Sequence, residues 1–394
     1  MDFFKPIFRG WIRLPSILRF LIVVIVLNLF YYIFSLIVAE FSTLNIDISV
    51  NGFFAIHQRN DSWFYKLIFE EGYSNINNIN QFLRHHSNTY GMSEWAFFPA
   101  YPSLVKGINL MTGWNWYPSA FIISVVFSVL FLFLLYKSAI ILFGLEKEKA
   151  NYVTLFFAVF PVHYHYFMYY TEPIFLTFLL AGFLLLHSKR YILFSIILIP
   201  LVLLRPNGII SLLPLYIFLL EREGIITYRK FSVNFKAVNW QIIFKTLYFF
   251  SGIFSFLAYL VYQYEKTGFY LAFTKAQAGW DREAMFPLLA LFQDNNLSTY
   301  FNSFYAVFMI IMGYFMIKKY PISHNALFWI TLVMPLIAGS SVSIPRYMSI
   351  VFPLFIFIFQ ALYKYKFKYL LIVFSLFLQL LIFYFWLLGN QLSY

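Results

Sequence analysis

The sequence contains no cysteine. That excludes a disulfide framework, a thiolate metal centre and a cysteine nucleophile. Charge is also scarce: 11% of the 394 residues are Asp, Glu, Lys or Arg, against 62% hydrophobic, with a mean hydropathy of +0.74. So little polar surface cannot cover so apolar a chain in water, and the composition is that of a polytopic membrane protein. There is no Gly-rich nucleotide loop of the GxGxxG or GxxxxGK[ST] type. Transporter-type internal repeats and low-complexity linkers are also missing, so residues 1–394 read as a single membrane domain.

What the chain does have is apolar runs. With a ruler of roughly 20 residues per membrane helix, it reads as all-α with about eleven spans. They lie near 17–38, 119–141, 150–167, 173–187, 191–205, 207–220, 244–263, 300–317, 325–339, 347–363 and 369–388. The pair over 191–220 reads as two short helices or one broken helix, because Arg205-Pro206-Asn207-Gly208 interrupts it. Lys5, Arg9 and Arg13 precede the first span, but no small-residue cleavage pattern follows it, so it reads as a retained helix.

The formal net charge of +12 raises the possibility of a nucleic-acid partner, but the basic residues sit in short clusters between spans. That placement is topology and points to no nucleic acid. With the N-terminus cytoplasmic, 19 of the 28 Lys and Arg fall inside and 9 outside, against 5 and 11 of the 16 Asp and Glu. The positive-inside rule is obeyed. The same topology puts the polar segments around Asp61, Glu172, Arg205, Gln277–Arg282 and Arg346 on the outer face, as if they shared one site.

The first outer loop, about 39–118, is too long for a connector, and loops of that length are usually functional. Its rings, among them Trp63, Trp95, Phe97, Tyr101 and Trp116, fit helices lying in the membrane interface. It carries His57-Gln58-Arg59-Asn60-Asp61-Ser62-Trp63-Phe64-Tyr65, then Glu71-Gly72-Tyr73 and Ala96-Phe97-Phe98-Pro99-Ala100-Tyr101-Pro102. Asp61 at the start of a short helix is either an N-cap carboxylate or a general base among aromatics.

These motifs resemble those of the PIG-V-like mannosyltransferases, the GPI mannosyltransferase II family, which is counted among the GT-C glycosyltransferases. Asp61 to Tyr65 with Glu71-Gly72-Tyr73 is similar to the family's W-D-x-x-W/Y-Y … G-Y signature, and Ala96 to Pro102 to its A-F-F-P-L-Y-P. Tyr170-Thr171-Glu172-Pro173-Ile174-Phe175 resembles Y-T-E-S-L-F, and Arg205-Pro206-Asn207-Gly208 resembles R-S-N-G. Gln277 to Trp280 and Arg346 have similar counterparts, so the match runs in order over about residues 53–355. The chain departs from the pattern at Asn60, where Trp is frequent, and at Pro173, where Ser is frequent.

The resemblance implies the GT-C fold and an inverting transfer of a sugar, typically mannose, from a polyprenyl-phosphate donor to a lipid-linked or glycan acceptor. Asp61 would be the base that takes the acceptor hydroxyl proton. Glu172 either helps position base or acceptor, or is helix-start chemistry with its flanking Thr and Pro. Arg346, and Arg205 with it, would grip the donor phosphate, since a guanidinium matches phosphate oxygens bidentately. Both could instead snorkel or pair with Glu172 or Asp281, and Arg205 could orient a carboxylate. Asn207, Gln277, Trp280, Tyr101 and Tyr170 are substrate-binding candidates, Trp280 and Tyr170 alternatively being interface aromatics.

No cofactor is called for. A divalent metal ion at Asp61 is disfavoured, because His85-His86 and the i, i+2 pair His163 and His165 point apart on a helix, and a lone His57 reads as a hydrogen-bonding loop residue. A microbial source, hinted at by abundant Phe, Tyr, Ile, Asn and Lys, would put the chain in a bacterial inner membrane with its site extracytoplasmic; in a eukaryote the site would face the ER lumen. The rival classes are a transporter or flippase of a lipid-linked saccharide, which would place polar groups near the bilayer midplane, and a catalytically silent transferase subunit.

Overall fold

The structure, a computed structural model, describes residues 11–389 apart from 12, 43, 47, 76–91, 229–231, 281, 283, 293–295 and 364–367. The chain is mostly helical (76%). Among the described residues, five helices are long and apolar enough to cross a membrane: Ser16–Glu40, Trp116–Ile141, Trp240–Thr267, Leu297–Ile317 and Tyr369–Leu387. Four shorter apolar helices cover Glu172–His187, Tyr191–Leu204, Ile322–Ile337 and Phe352–Tyr363. These helices are compatible with the multi-pass membrane protein expected from composition, and the one strand pairing among the described residues is a short antiparallel pairing of Ile226–Thr227 with Ser232–Val233.

The span expected over 150–167 is not one helix. Its helix is Lys147–Ala158, and a separate 3-10 turn occupies His163–Phe167. Pro161 between them lacks an N–H and disfavours helical backbone at Phe160. Pro206 acts likewise: the helix Tyr191–Leu204 stops at Arg205, which is extended (φ −157°, ψ 155°), and short helices follow at Asn207–Ile210 and Leu212–Arg222. The interruption at 205–208 therefore separates distinct helices. The span expected over 347–363 also begins later, with a short helix at Ile344–Met348 before the apolar helix Phe352–Tyr363.

The chain forms two compact units, each discontinuous in sequence. The first comprises residues 1–59, 108–180 and 355–393, the second 60–107 and 181–354. In the first, the helix Ser16–Glu40 buries Phe20, Val24, Leu27, Tyr31, Ser35 and Val38, a three-and-four spacing that draws one stripe along its length. The opposite face exposes Ile22, Ile25, Leu29, Ile33 and Ile37. A helix apolar on both faces suits a lipid surround. Gln379, fully buried, accepts from the Tyr31 hydroxyl (2.8 Å) and donates to the carbonyls of Phe160 (2.8 Å) and Ala158 (3.2 Å). The Phe160 carbonyl also accepts from His163 N (2.8 Å), so Gln379 joins the backbone on both sides of the helix end before Pro161, where buried carbonyls need partners.

In the second unit, the helix Tyr191–Leu204 packs on Phe250–Thr267, and Leu212–Arg222 packs on Ile322–Ile337. Glu221 caps the latter helix from outside, accepting from Ile322 N (2.6 Å) and from Ser323 N and Oγ (3.3 and 2.5 Å). A carboxylate satisfies the orphan N–H groups and complements the helix dipole. The long loop following the first span carries helices at Val50–Ala55, Asp61–Glu71 and Ala100–Thr112.

Candidate functional site

The chain passes into the second unit at Asn60, and the approach is fixed within the first. His57 lies with Nδ1 2.8 Å from the Phe53 carbonyl and Nε2 2.8 Å from Asn28 Oδ1, the hydrogen-bonding loop role expected of it. Its carbonyl accepts from Tyr169 N (3.1 Å), and Gln58 accepts from Trp116 Nε1 (2.9 Å). The Tyr170 hydroxyl donates to the Arg59 carbonyl (3.0 Å), so this candidate sugar-binding ring supports the loop backbone. Glu172, also in the first unit, is the first residue of the helix Glu172–His187 and is 1% exposed.

In the second unit, Asp61 opens the helix Asp61–Glu71. The cap position belongs to Asn60, in a positive-φ conformation (φ 53°, ψ −120°), so the N-cap role considered for Asp61 is not the one it takes. An acid in the first turn still complements the helix dipole. The Asp61 carboxylate turns to Arg346, whose Nη2 donates to Oδ2 at 2.6 Å. Asp61 was not among the acids considered for Arg346, which were Glu172 and Asp281; Asp281 lies outside the described residues. The side chains are 25% and 11% exposed, so the pair is shielded well beyond the surface ion pairs whose worth is roughly 0–1 kcal/mol.

Arg346 lies on the short helix Ile344–Met348, which is entered through Ser343 at φ 66°. Both partners of the ion pair thus follow closely on a non-glycine residue in a costly backbone region, an arrangement that concentrates at functional sites. Tyr347 adjoins Arg346 and is the hub of a cationic cluster. The guanidinium carbons of Arg205, Arg282 and Arg346 lie 5.6, 5.9 and 5.9 Å from its ring centre. Arg282 also donates from Nη1 and Nη2, each 3.2 Å from the Tyr347 hydroxyl. Burial would raise the Tyr347 phenol, but the charges of Arg282, Arg346 and Arg205 outweigh it and hold the phenol below its ordinary value.

The remaining candidates of this unit form an aromatic wall. Phe64, one turn into the Asp61 helix, stacks on Phe97 (4.7 Å, 11°), and Trp280 meets both rings at 5.6 and 5.7 Å. Tyr101 is fully buried with its ring edge-on to Tyr65 at 5.0 Å. Gln277 starts the 3-10 turn that carries Trp280 and is half-buried. Asn207 is half-buried as well, and its carbonyl accepts from Ser211 N (3.0 Å) and Oγ (2.8 Å). The 205–208 turn is tight because Gly208 lies directly against the Leu201–Val202 backbone, where any side chain would collide.

No family model matches the chain, and no curated protein does.

The structure thus brings Asp61, Arg346 and Arg205 together, and it adds Arg282 and Tyr347. Arg282 stood in a polar loop segment and Tyr347 in a motif, but neither was separately a candidate; a Tyr directly after a candidate Arg was the signal available. Glu94 was also missed. It is 1% exposed and accepts from Ser74 N (3.1 Å), Ser74 Oγ and Ser93 Oγ (3.2 Å). Among the described residues no three His, Asp or Glu side chains gather as metal ligands, and His85 and His86 lie outside them. A carboxylate bonded to one member of a three-guanidinium cluster puts a proton acceptor next to groups that can hold an anion.

Proposed function

We propose that this protein is an inverting, membrane-embedded glycosyltransferase of the GT-C type. It moves a sugar, with mannose the first choice, from a polyprenyl-phosphate donor to a lipid-linked or glycan hydroxyl on the extracytoplasmic face. The observation that carries the reading is the Asp61 carboxylate 2.6 Å from Arg346, beside the three-arginine cluster on Tyr347. It supplies the two things such a transfer needs, a base and a seat for the phosphate.

In the reaction, the acceptor oxygen bonds to the sugar's anomeric carbon as the bond from that carbon to the phosphate oxygen breaks. Asp61 takes the acceptor proton, and the bonding electrons leave on the lipid phosphate. Charge grows on that phosphate toward the transition state, so cations aimed at it favour the transition state over the ground state. The aromatic wall of Phe64, Phe97 and Trp280 gives the Asp61 helix a rigid backing.

A flippase calls for polar groups in mid-span. Asn28 and Gln379 occupy such positions, but their bonds to the Val24 carbonyl, His57, Tyr31 and the carbonyls at the Pro161 break are those of packing. The test is transfer from radiolabelled polyprenyl-phosphate mannose by purified protein beside Asp61→Asn. Transfer that disappears in a folded mutant supports the reading, and equal transfer by both removes Asp61 from the chemistry.

A further inference from the structure

Three guanidiniums around one phenol repel one another, and such a cluster is stabilised by an anion within it. Asp61 supplies one, and it does so through Arg346, a member of the cluster. A phosphate oxygen is a ligand of the same geometry and greater charge for the same guanidinium. Meanwhile a carboxylate bonded to a guanidinium at 2.6 Å has one oxygen engaged and is held toward that partner until the guanidinium lets go. We infer that Asp61 is an internal competitor for the anion site of Arg205, Arg282 and Arg346: an incoming lipid-linked phosphate takes Arg346 and releases the Asp61 carboxylate for proton transfer.

This rests on the transferase reading for the identity of the ligand, and it adds an order of events. The base becomes available only after the phosphate has arrived, so an acceptor alone meets an occupied carboxylate. Arg282, tied to the Tyr347 hydroxyl through both terminal nitrogens, has a defined part as a phosphate-positioning residue. The positive-φ residues Asn60 and Ser343 stand at the two points from which the partners project, where a small backbone change redirects each side chain.

The competition is read by binding. Citronellyl phosphate, a short polyprenyl phosphate, is titrated calorimetrically into the detergent-solubilised full chain, with inorganic phosphate and citronellol as parallel arms. Asp61→Asn, and Asp61→Ser should Asn fail to fold, is expected to bind citronellyl phosphate roughly three- to tenfold more tightly than wild type, because the competing carboxylate is gone. Arg282→Gln is expected to bind several-fold more weakly. The same ranking with inorganic phosphate assigns the exchange to the phosphate group alone; a ranking seen only with citronellyl phosphate assigns it to a lipid-linked one. Citronellol should show no ranking. Unchanged or weaker binding by folded Asp61 variants overturns the exchange. Transfer activity is scored separately: intact transfer without tightening refutes the competition alone, and tightening without wild-type transfer refutes the transferase reading alone.

Discussion

Arg282 reaches the Tyr347 hydroxyl with both terminal nitrogens at 3.2 Å, across 65 residues of sequence. That contact ties the loop carrying Gln277 and Trp280 to the short helix carrying Arg346. A phenol oxygen so placed is an acceptor for one cation and a neighbour of two more, and it fixes the spacing between them.

Tyr347→Phe keeps the ring beneath the guanidiniums and removes their anchor. The expected result is a rise of about tenfold in donor KM with kcat little changed, because charge-assisted hydrogen bonds of this kind are worth about 1.5–3 kcal/mol before compensation. A fall in kcat with KM unchanged would instead assign the hydroxyl to the transition state.

The same phenol gives a pH dependence with a definite sign. Its folded value lies below the ordinary one of about 10, so the folded state releases its proton first as pH rises. The stabilisation this confers is present above the unfolded value and is lost as pH falls through the folded one. Wild type should therefore gain stability relative to Tyr347→Phe as pH approaches 10. Phenolate absorbance should likewise appear at lower pH in wild type than in the mutant.

Gly208→Ala would drive a methyl group against the Leu201 carbonyl oxygen and to 2.7 Å from Val202 Cα. Backbone atoms on the far side cannot yield as a flexible side chain would. A loss of about 1–3 kcal/mol in stability is expected, with weaker citronellyl phosphate binding as the 205–208 turn moves Arg205. Unaltered melting and binding would show that the turn has slack.

Glu94→Ala would leave the Ser74 and Ser93 donors without their carboxylate. The cost of stranded buried polar groups is about 1–3 kcal/mol, read as a lower thermal midpoint, with Glu94→Gln recovering part of it. The mutation should affect stability ahead of donor affinity, since Glu94 serves the Ser74 and Ser93 donors.

Much of the fold was legible because lipid-facing helices carry their signature in local composition. The apolar span at 17–38 and the stop at Arg205-Pro206 follow from composition and proline chemistry, whereas the buried stripe from Phe20 to Val38 does not, because both faces of that helix are apolar. The reading of 150–167 as one span failed because hydropathy runs straight through Pro161, whereas the backbone cannot. In the site, Asp61 and Arg346 stood out as charges beside apolar stretches, but their pairing joins positions 285 residues apart. Arg282 and Tyr347 carry only the weak mark of standing beside candidate residues, since their significance comes from two segments meeting. Tyr170 and Trp280 looked like sugar-stacking rings, and their observed contacts are with the Arg59 carbonyl and with Phe64 and Phe97.

The central claim is that Asp61 is the base of a sugar transfer, and one comparison tests it most directly. Purified wild-type protein and Asp61→Asn are given radiolabelled polyprenyl-phosphate mannose and a membrane-extract acceptor, with folding of both checked by thermal unfolding. The account predicts transfer by wild type and a loss of at least about 100-fold in the mutant. Near-normal turnover by a folded Asp61→Asn protein would contradict it.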